Sequence, residues 1–196
     1  MNKLFVLMGK SATGKDTIYR KILEREDCPV SPVIPYTTRP IREGEKEGVE
    51  YFFVSREQYK KMQEEGRVIE ARDYETVHGI WSYFTAADSQ FASDGNYIVI
   101  NTLEGYEKIR AYFGEDKVVP LYVEVEDGLR LSRALERERM QKEPKYAELC
   151  RRFLADSADF SEDKIKKLGI TKRYQNVELS TCIEKIVKDI KEVVEL

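Results

Sequence analysis

The stretch "KLFVLMGKSATGKDTIYRKIL", residues 3–23, constrains the fold most strongly. A continuous apolar run ends at a glycine, which suits a parallel strand buried on both faces. Gly9, Gly14 and Lys15 complete the pattern G-x-x-x-x-G-K directly after that run, and from Gly14 to Glu26 the residues Ile18, Ile22 and Leu23 fall at helical spacing. Strand, glycine loop and helix in that order make a phosphate-binding loop. The glycines let successive N–H groups turn toward one anion, and the new helix N-terminus adds partial positive charge. The candidate ligands are Gly9, Lys10, Ser11, Ala12, Thr13, Gly14 and Lys15, with Lys15 reaching the outer phosphates and the hydroxyls of Ser11 and Thr13 adding donors. Asp16 stands where such loops carry serine or threonine. Its charge repels phosphate, yet a carboxylate is a good hard-oxygen ligand for Mg²⁺. Either Asp16 binds the ion, directly or through water, or Thr17 supplies the hydroxyl while Asp16 caps the helix or holds a water.

Further strands alternate with helical patterns along the 196 residues, at "NYIVIN" and "KVVPLYVEV", and the chain closes on the amphipathic "TCIEKIVKDIKEVVEL". That order implies an α/β domain with a central parallel sheet flanked by helices. Between them, "SREQYKKMQEEG" reads as a helix capped by Ser55 and stopped at Gly66, and "RVIEARDYETVHGIWSYFT" as an antiparallel hairpin or meander inserted beside the sheet. A net charge of −3 gives no broad basic field for nucleic acid, so any anion site is local. Cys28, Cys150 and Cys182 fit no disulfide or metal pattern and are expected as buried, reduced thiols. The first apolar run is too short to span a membrane and lacks a signal-peptide cleavage region, which places the chain in the cytosol.

A second anion site is encoded in "YTTRPIREGEKEGVEYFFVS". Arg39 and Arg42 lie three apart in a proline-constrained segment, followed by Tyr51; arginines grip phosphate with forked bonds, and a tyrosine hydroxyl adds one more. Glu70 lies on the next strand, where a carboxylate can accept two parallel bonds from the N1–H and N2–H₂ edge of guanine. Together with the phosphate loop and "VIEA", this block resembles the guanylate kinase family, and the likeness extends to the arginine helices and the last strand. The resemblance implies a P-loop NTPase-type fold with an inserted small β-rich acceptor-binding subdomain at 35–85, a helical lid at 127–168, and a core from 1–34, 86–126 and 169–196. It implies ATP as co-substrate, Mg²⁺, GMP or dGMP as acceptor, and a monomer or homodimer free of nucleic acid and membrane. Arg39, Arg42 and Tyr51 then match the acceptor-phosphate clamp and Glu70 the base reader. In "GIWSYFT", Tyr83 and Thr85 match a phosphate-contacting tyrosine and a base-contacting hydroxyl, with Phe84 replacing a glycine. Asn101 or Thr102 takes the place of a second base-reading aspartate, and Tyr36 that of a serine near the base.

In "LRLSRALERERMQ", Arg130, Arg133 and Arg137 share one helical face, a pattern that a solvated charged helix would also show. By resemblance, Arg133, Arg137 and Arg152 are lid arginines that close over the transferring phosphoryl group, and Asn176 lies near the adenine. With Lys15 and Arg42 they form the expected catalytic set. The attacking acceptor phosphate is already an anion, so no general base is needed, and the single histidine, His78, is expected to be incidental. Two rivals remain: a related kinase for an acceptor such as ribose 1,5-bisphosphate, and a non-catalytic protein-binding module of the same family. Tyr74, Trp81 and Phe84 either line the base pocket or belong to the core.

Overall fold

Strand β1 (Leu4–Met8) is completely buried because it lies at the centre of a five-stranded parallel sheet. The order is β2 (Ser31–Pro32), β7 (Tyr97–Ile100), β1, β8 (Val118–Glu124), β9 (Arg173–Gln175). This computed structural model describes residues 1–76 and 79–195; His78 lies outside the described residues. Alternate residues of β1 serve two cores. Phe5 and Leu7 pack with Ile18 and Ile22 of α1 (Lys15–Leu23) and with Ile183, Ile186 and Ile190 of α7 (Leu179–Glu195). Leu4, Val6 and Met8 pack on the other side with Leu103, Tyr106 and Ile109 of α3 (Leu103–Phe113) and Ile165 of α6 (Glu162–Lys167).

A second, four-stranded sheet has the order β4 (Phe52–Phe53), β3 (Tyr36–Thr37), β6 (Gly79–Ala86), β5 (Val68–Thr76). Its hairpin β5–β6 is antiparallel, as the alternation implies. Helix α2 (Arg56–Glu64) carries a capping box, Ser55 with Gln58, and Gly66 follows its end at φ 66°. α2 buries Tyr59 and Met62 against Phe84.

Two of these short strands, β2 and β3, fall in the proline-containing segment 31–37. Ser31 and Val33 donate to Asn96 and Ile98, and Pro32 sits between them, where the edge pairing needs no N–H. The segment expected as a lid forms α4 (Asp127–Arg139) and α5 (Tyr146–Asp159), followed by α6. All three cysteines are free, but Cys150 is exposed on α5 rather than buried. No helix among the described residues is long and apolar enough to cross a membrane.

Candidate active site

The phosphate loop is held open by close approaches that only glycine allows. A Cβ on Gly9 would meet the Val123 carbonyl oxygen at 2.5 Å, and one on Gly14, at φ 85°, would meet the Asn176 amide nitrogen at 2.5 Å. Ala12 also adopts the left-handed region, at φ 63°, a conformation that stores local strain in a non-glycine residue. Thr13 is buried and its hydroxyl donates to the Lys10 carbonyl at 2.8 Å, so it braces the loop instead of facing a ligand. Asn176, expected at the adenine, is also buried and donates to the Thr13 carbonyl at 2.7 Å; it supports the loop from beneath. Gly14→Ala therefore combines a clash with backbone strain. It is expected to destabilise the fold by about 1–3 kcal/mol and to weaken triphosphate binding, measurable by thermal melting and nucleotide titration.

In front of the loop lies a cavity of about 610 Å³. Ser11, Ala12, Lys15 and Asp16 line one side, and Arg137, Glu138 and Arg152 of the lid helices line the other. The tertiary fold thus gathers three lysines, three carboxylates and two arginines around this cavity, Lys15, Asp16, Arg137 and Arg152 among them. Asp16 projects into this space; Thr17 is not among the lining residues. One exposed carboxylate with room for waters and phosphate oxygens fits Mg²⁺, which keeps several waters and needs few protein ligands. No cluster of three metal-ligating side chains occurs among the described residues.

Arg133 does not join this group. Its guanidinium donates to the carbonyls of Asn176 at 3.0 Å and Val177 at 3.3 Å, which ties α4 to the end of β9. Lys10 pairs with Asp127 at 3.3 Å. Arg130, which was not in the expected site set, is 1% exposed. It binds Asp127 at 3.0 Å, the Ser11 carbonyl at 3.2 Å and Asp156 at 3.2 Å, and stacks on Phe153 at 4.0 Å. Asp156 accepts the Ser11 N–H at 2.7 Å, a contact between lid and loop that no local pattern announces. Helical spacing did mark Arg130, because it shares a face with Arg133 and Arg137.

The second cluster forms on one face of the small sheet. Cross-strand pairs Glu70↔Thr85 and Arg72↔Tyr83 set that face, and Thr37 pairs with Tyr83. Arg39, 4% exposed, lies over the rings of Tyr51 at 5.0 Å and Phe53 at 5.4 Å; Tyr51 meets Tyr83 edge-on at 5.6 Å. Glu45 holds the Arg39 guanidinium with both carboxylate oxygens, and Pro40 accepts a further bond. Three of the five N–H donors are thus used. Nε is buried without a hydrogen-bond partner among the described residues, so one edge of the fork is unpaired. Arg39's forked bonds pull the Glu45 carboxyl down to about 2, and burial raises the Tyr51 hydroxyl above its ordinary value. Arg42 is exposed and forms no ion pair among the described residues; its backbone N–H donates to Glu45 at 2.8 Å.

Glu70, Thr85 and Asn101 meet as a buried triad: Glu70 Oε1 accepts from the Thr85 hydroxyl at 2.8 Å and from the Asn101 amide at 2.9 Å. Thr102 instead caps α3, its hydroxyl accepting from Gly105 at 3.1 Å, so of the two it is Asn101 that touches Glu70. Tyr36 does not join them. It pairs with Phe84, one residue out of phase with Thr85, so its ring stacks on Phe84 on the opposite face and its hydroxyl donates to Asp88. Phe84 is fully buried in the α2 core. Strand alternation therefore turns it away from the face that carries Glu70 and Thr85. Tyr74 shares the site face and meets Tyr83 edge-on at 5.5 Å.

The family model for guanylate kinase matches residues 1–87, which reach the end of β6. A guanylate kinase of Shouchella clausii is 26% identical over 98% of this chain and 96% of its own length. One from Caldanaerobacter subterraneus is 28% identical over 97% of this chain and 85% of its own. Among solved structures, guanylate kinase from Anaplasma phagocytophilum superposes with a TM-score of 0.65 at 20% identity, covering 97% of this chain and 85% of that one.

Proposed function

From the likeness to guanylate kinases, we propose that the chain belongs to that family and transfers the γ-phosphoryl group of ATP to the phosphate of GMP, giving ADP and GDP. The observation that carries this reading is the pairing of two distinct anion cradles in one chain. One gathers Lys15, Asp16, Arg137 and Arg152 at the phosphate loop; the other gathers Arg39, Tyr51 and Tyr83 on the face that carries buried Glu70.

A GMP phosphate oxygen attacks the γ-phosphorus as the bond to the ADP oxygen breaks. No side chain needs to take a proton. The protein's part is alignment and neutralisation of spread negative charge. Lys15 and the loop amides hold the donor phosphates, Arg137 and Arg152 reach the transferring group from the lid, and Arg39, Arg42, Tyr51 and Tyr83 fix the acceptor phosphate. Mg²⁺, when bound, neutralises charge between the phosphates, and Asp16 is the residue placed to hold it. Residues 35–85 act as the acceptor subdomain and 127–168 as the lid, whose closure keeps water from the γ-phosphate. The enzyme is taken to act in the cytosol as a monomer or homodimer.

An ADP-release assay with GMP, dGMP, AMP, UMP and ribose 1,5-bisphosphate tests the reading. Turnover with GMP and dGMP is expected; turnover confined to the sugar phosphate, or none with any acceptor, would overturn it. Asp16→Ala is expected to raise the Mg²⁺ concentration for half-maximal rate about tenfold, with Asp16→Ser close to the parent. Identical Mg²⁺ titrations for the alanine variant and the parent would remove Asp16 from that role.

A further inference from the structure

Glu70 has only one oxygen left for an acceptor. Its Oε1 already receives two hydrogen bonds, from Thr85 and Asn101, which fills both lone pairs. Oε2 is buried with no hydrogen-bond partner among the described residues. At 3.5 Å from it lies Nε of Arg72, likewise buried and without a hydrogen bond among those residues. Arg72 follows Glu70 by two residues on β5, so both project to one face, and its cross-strand partner is Tyr83 of the phosphate clamp. The arginine also lines a cavity of about 540 Å³, whose wall includes Tyr74, Thr102 and Leu103.

We infer that Arg72 is a specificity-determining residue of the acceptor site. This deepens the acceptor reading above and rests on it. Side by side, Glu70 Oε2 and the Arg72 guanidinium offer one acceptor and one donor. Their complement is a ring N–H next to a C=O. Guanine and hypoxanthine both carry that edge, at N1–H and O6. Adenine presents the reverse order, an acceptor at N1 and a donor at N6, so like would face like. The cavity beside Arg72 gives its guanidinium room to leave Oε2 as the base N–H arrives and to turn its donors onto O6. Because Oε1 is already filled, the 2-amino group of guanine has no charged acceptor of its own. The site selects the lactam edge more than the amino group.

Direct binding titrations and turnover with GMP, IMP and 2-aminopurine ribonucleoside 5′-monophosphate test this. The last keeps the 2-amino group but lacks both O6 and N1–H. The parent protein is expected to bind GMP and IMP within about tenfold of each other. Arg72→Ala should weaken both by about 10- to 100-fold and leave the 2-aminopurine nucleotide unchanged. Arg72→Lys, which keeps the charge but not the fork, should fall between, and it covers the case in which the alanine variant does not fold. Equal losses for all three nucleotides would mean that Arg72 merely supports Glu70, and would overturn the inference. So would unchanged GMP binding in both variants, or a GMP preference over IMP of several hundredfold in the parent. Absence of turnover with the binding pattern intact would sink the kinase reading alone; GMP turnover with equal losses would sink this inference alone. Failure of the parent to bind any of the three would sink both.

Discussion

Lys15→Ala is expected to lower kcat for GDP formation by about 10²–10³-fold while leaving thermal stability essentially unchanged. The two halves of this expectation have different origins. Lys15 opens α1 at the phosphate loop and faces the cavity shared with Arg137 and Arg152. Removing it takes away one of the few positive charges placed where negative charge accumulates, in a site whose catalysis rests on such charges. Yet Lys15 makes no ion pair among the described residues, so the fold loses no such pair with it. Binding of ATP should survive in part, because the loop's backbone N–H groups and the open shape set by Gly9 and Gly14 remain. Steady-state kinetics and a melting curve on the same sample check both halves. A tenfold or smaller drop in kcat, or a collapse of stability, would contradict this assignment. Combining Lys15→Ala with Arg137→Ala should cost less than the product of the single effects, since the two act on one phosphoryl group.

Arg39→Ala is expected to reduce kcat/KM for the acceptor by about 100-fold or more, with little change in ATP binding. Arg39 is the most buried member of the clamp, and its contacts divide cleanly. One edge of the guanidinium is held by Glu45, the rings of Tyr51 and Phe53 cover its face, and Nε is left unpartnered. An anion arriving at that free edge meets a fork already fixed in place, so little side-chain freedom is lost on binding. Arg39→Lys should recover only part of the loss, because an ammonium cannot hold Glu45 and a phosphate in the same plane. The clamp should also be insensitive to pH near neutrality. Glu45 is lowered to about 2 in the folded protein. The stabilisation from its pairing is therefore complete above the ordinary carboxylate value and fades only as the pH falls toward that lower one. Acceptor KM should stay flat between about pH 5 and 9, apart from ionisation of GMP itself. A steep change in that interval that vanishes in Glu45→Gln would show that the pair titrates where it should not.

Much of the architecture was legible because it is written in local patterns. A five-residue apolar run before G-x-x-x-x-G-K can hardly be anything but a buried strand feeding a phosphate loop, and Ser55 with Gln58 announces a helix start by the reciprocal bonds it allows. The meeting of Arg39 with Tyr51 and Tyr83 was expected from residues close in the chain, since a short proline-bounded segment leaves its side chains few places to go. The lid was readable as helices but not as contacts. Helical spacing puts Arg130, Arg133 and Arg137 on one face without saying which meets a ligand. Packing then sends Arg130 under the loop to Asp156, Arg133 to the carbonyls after β9, and Arg137 into the cavity.

The acceptor face shows the same division. From the amino-acid order alone came the α/β sheet and the proposals of two anion sites and of Glu70 as a base reader, because each depends on residues near one another in the chain. Strand register lay beyond it. A shift of one position exchanges the faces of a strand, and pairing across β3, β6 and β5 is what turned Tyr36 and Phe84 into core while bringing Glu70, Arg72, Tyr83 and Thr85 together. Only the folded sheet also brought Asn101, thirty-one residues away, onto Glu70 and so spent one of its two oxygens. Long-range pairing is a property of the whole packed chain, which is why Asn101 on Glu70 could be seen only in the folded protein.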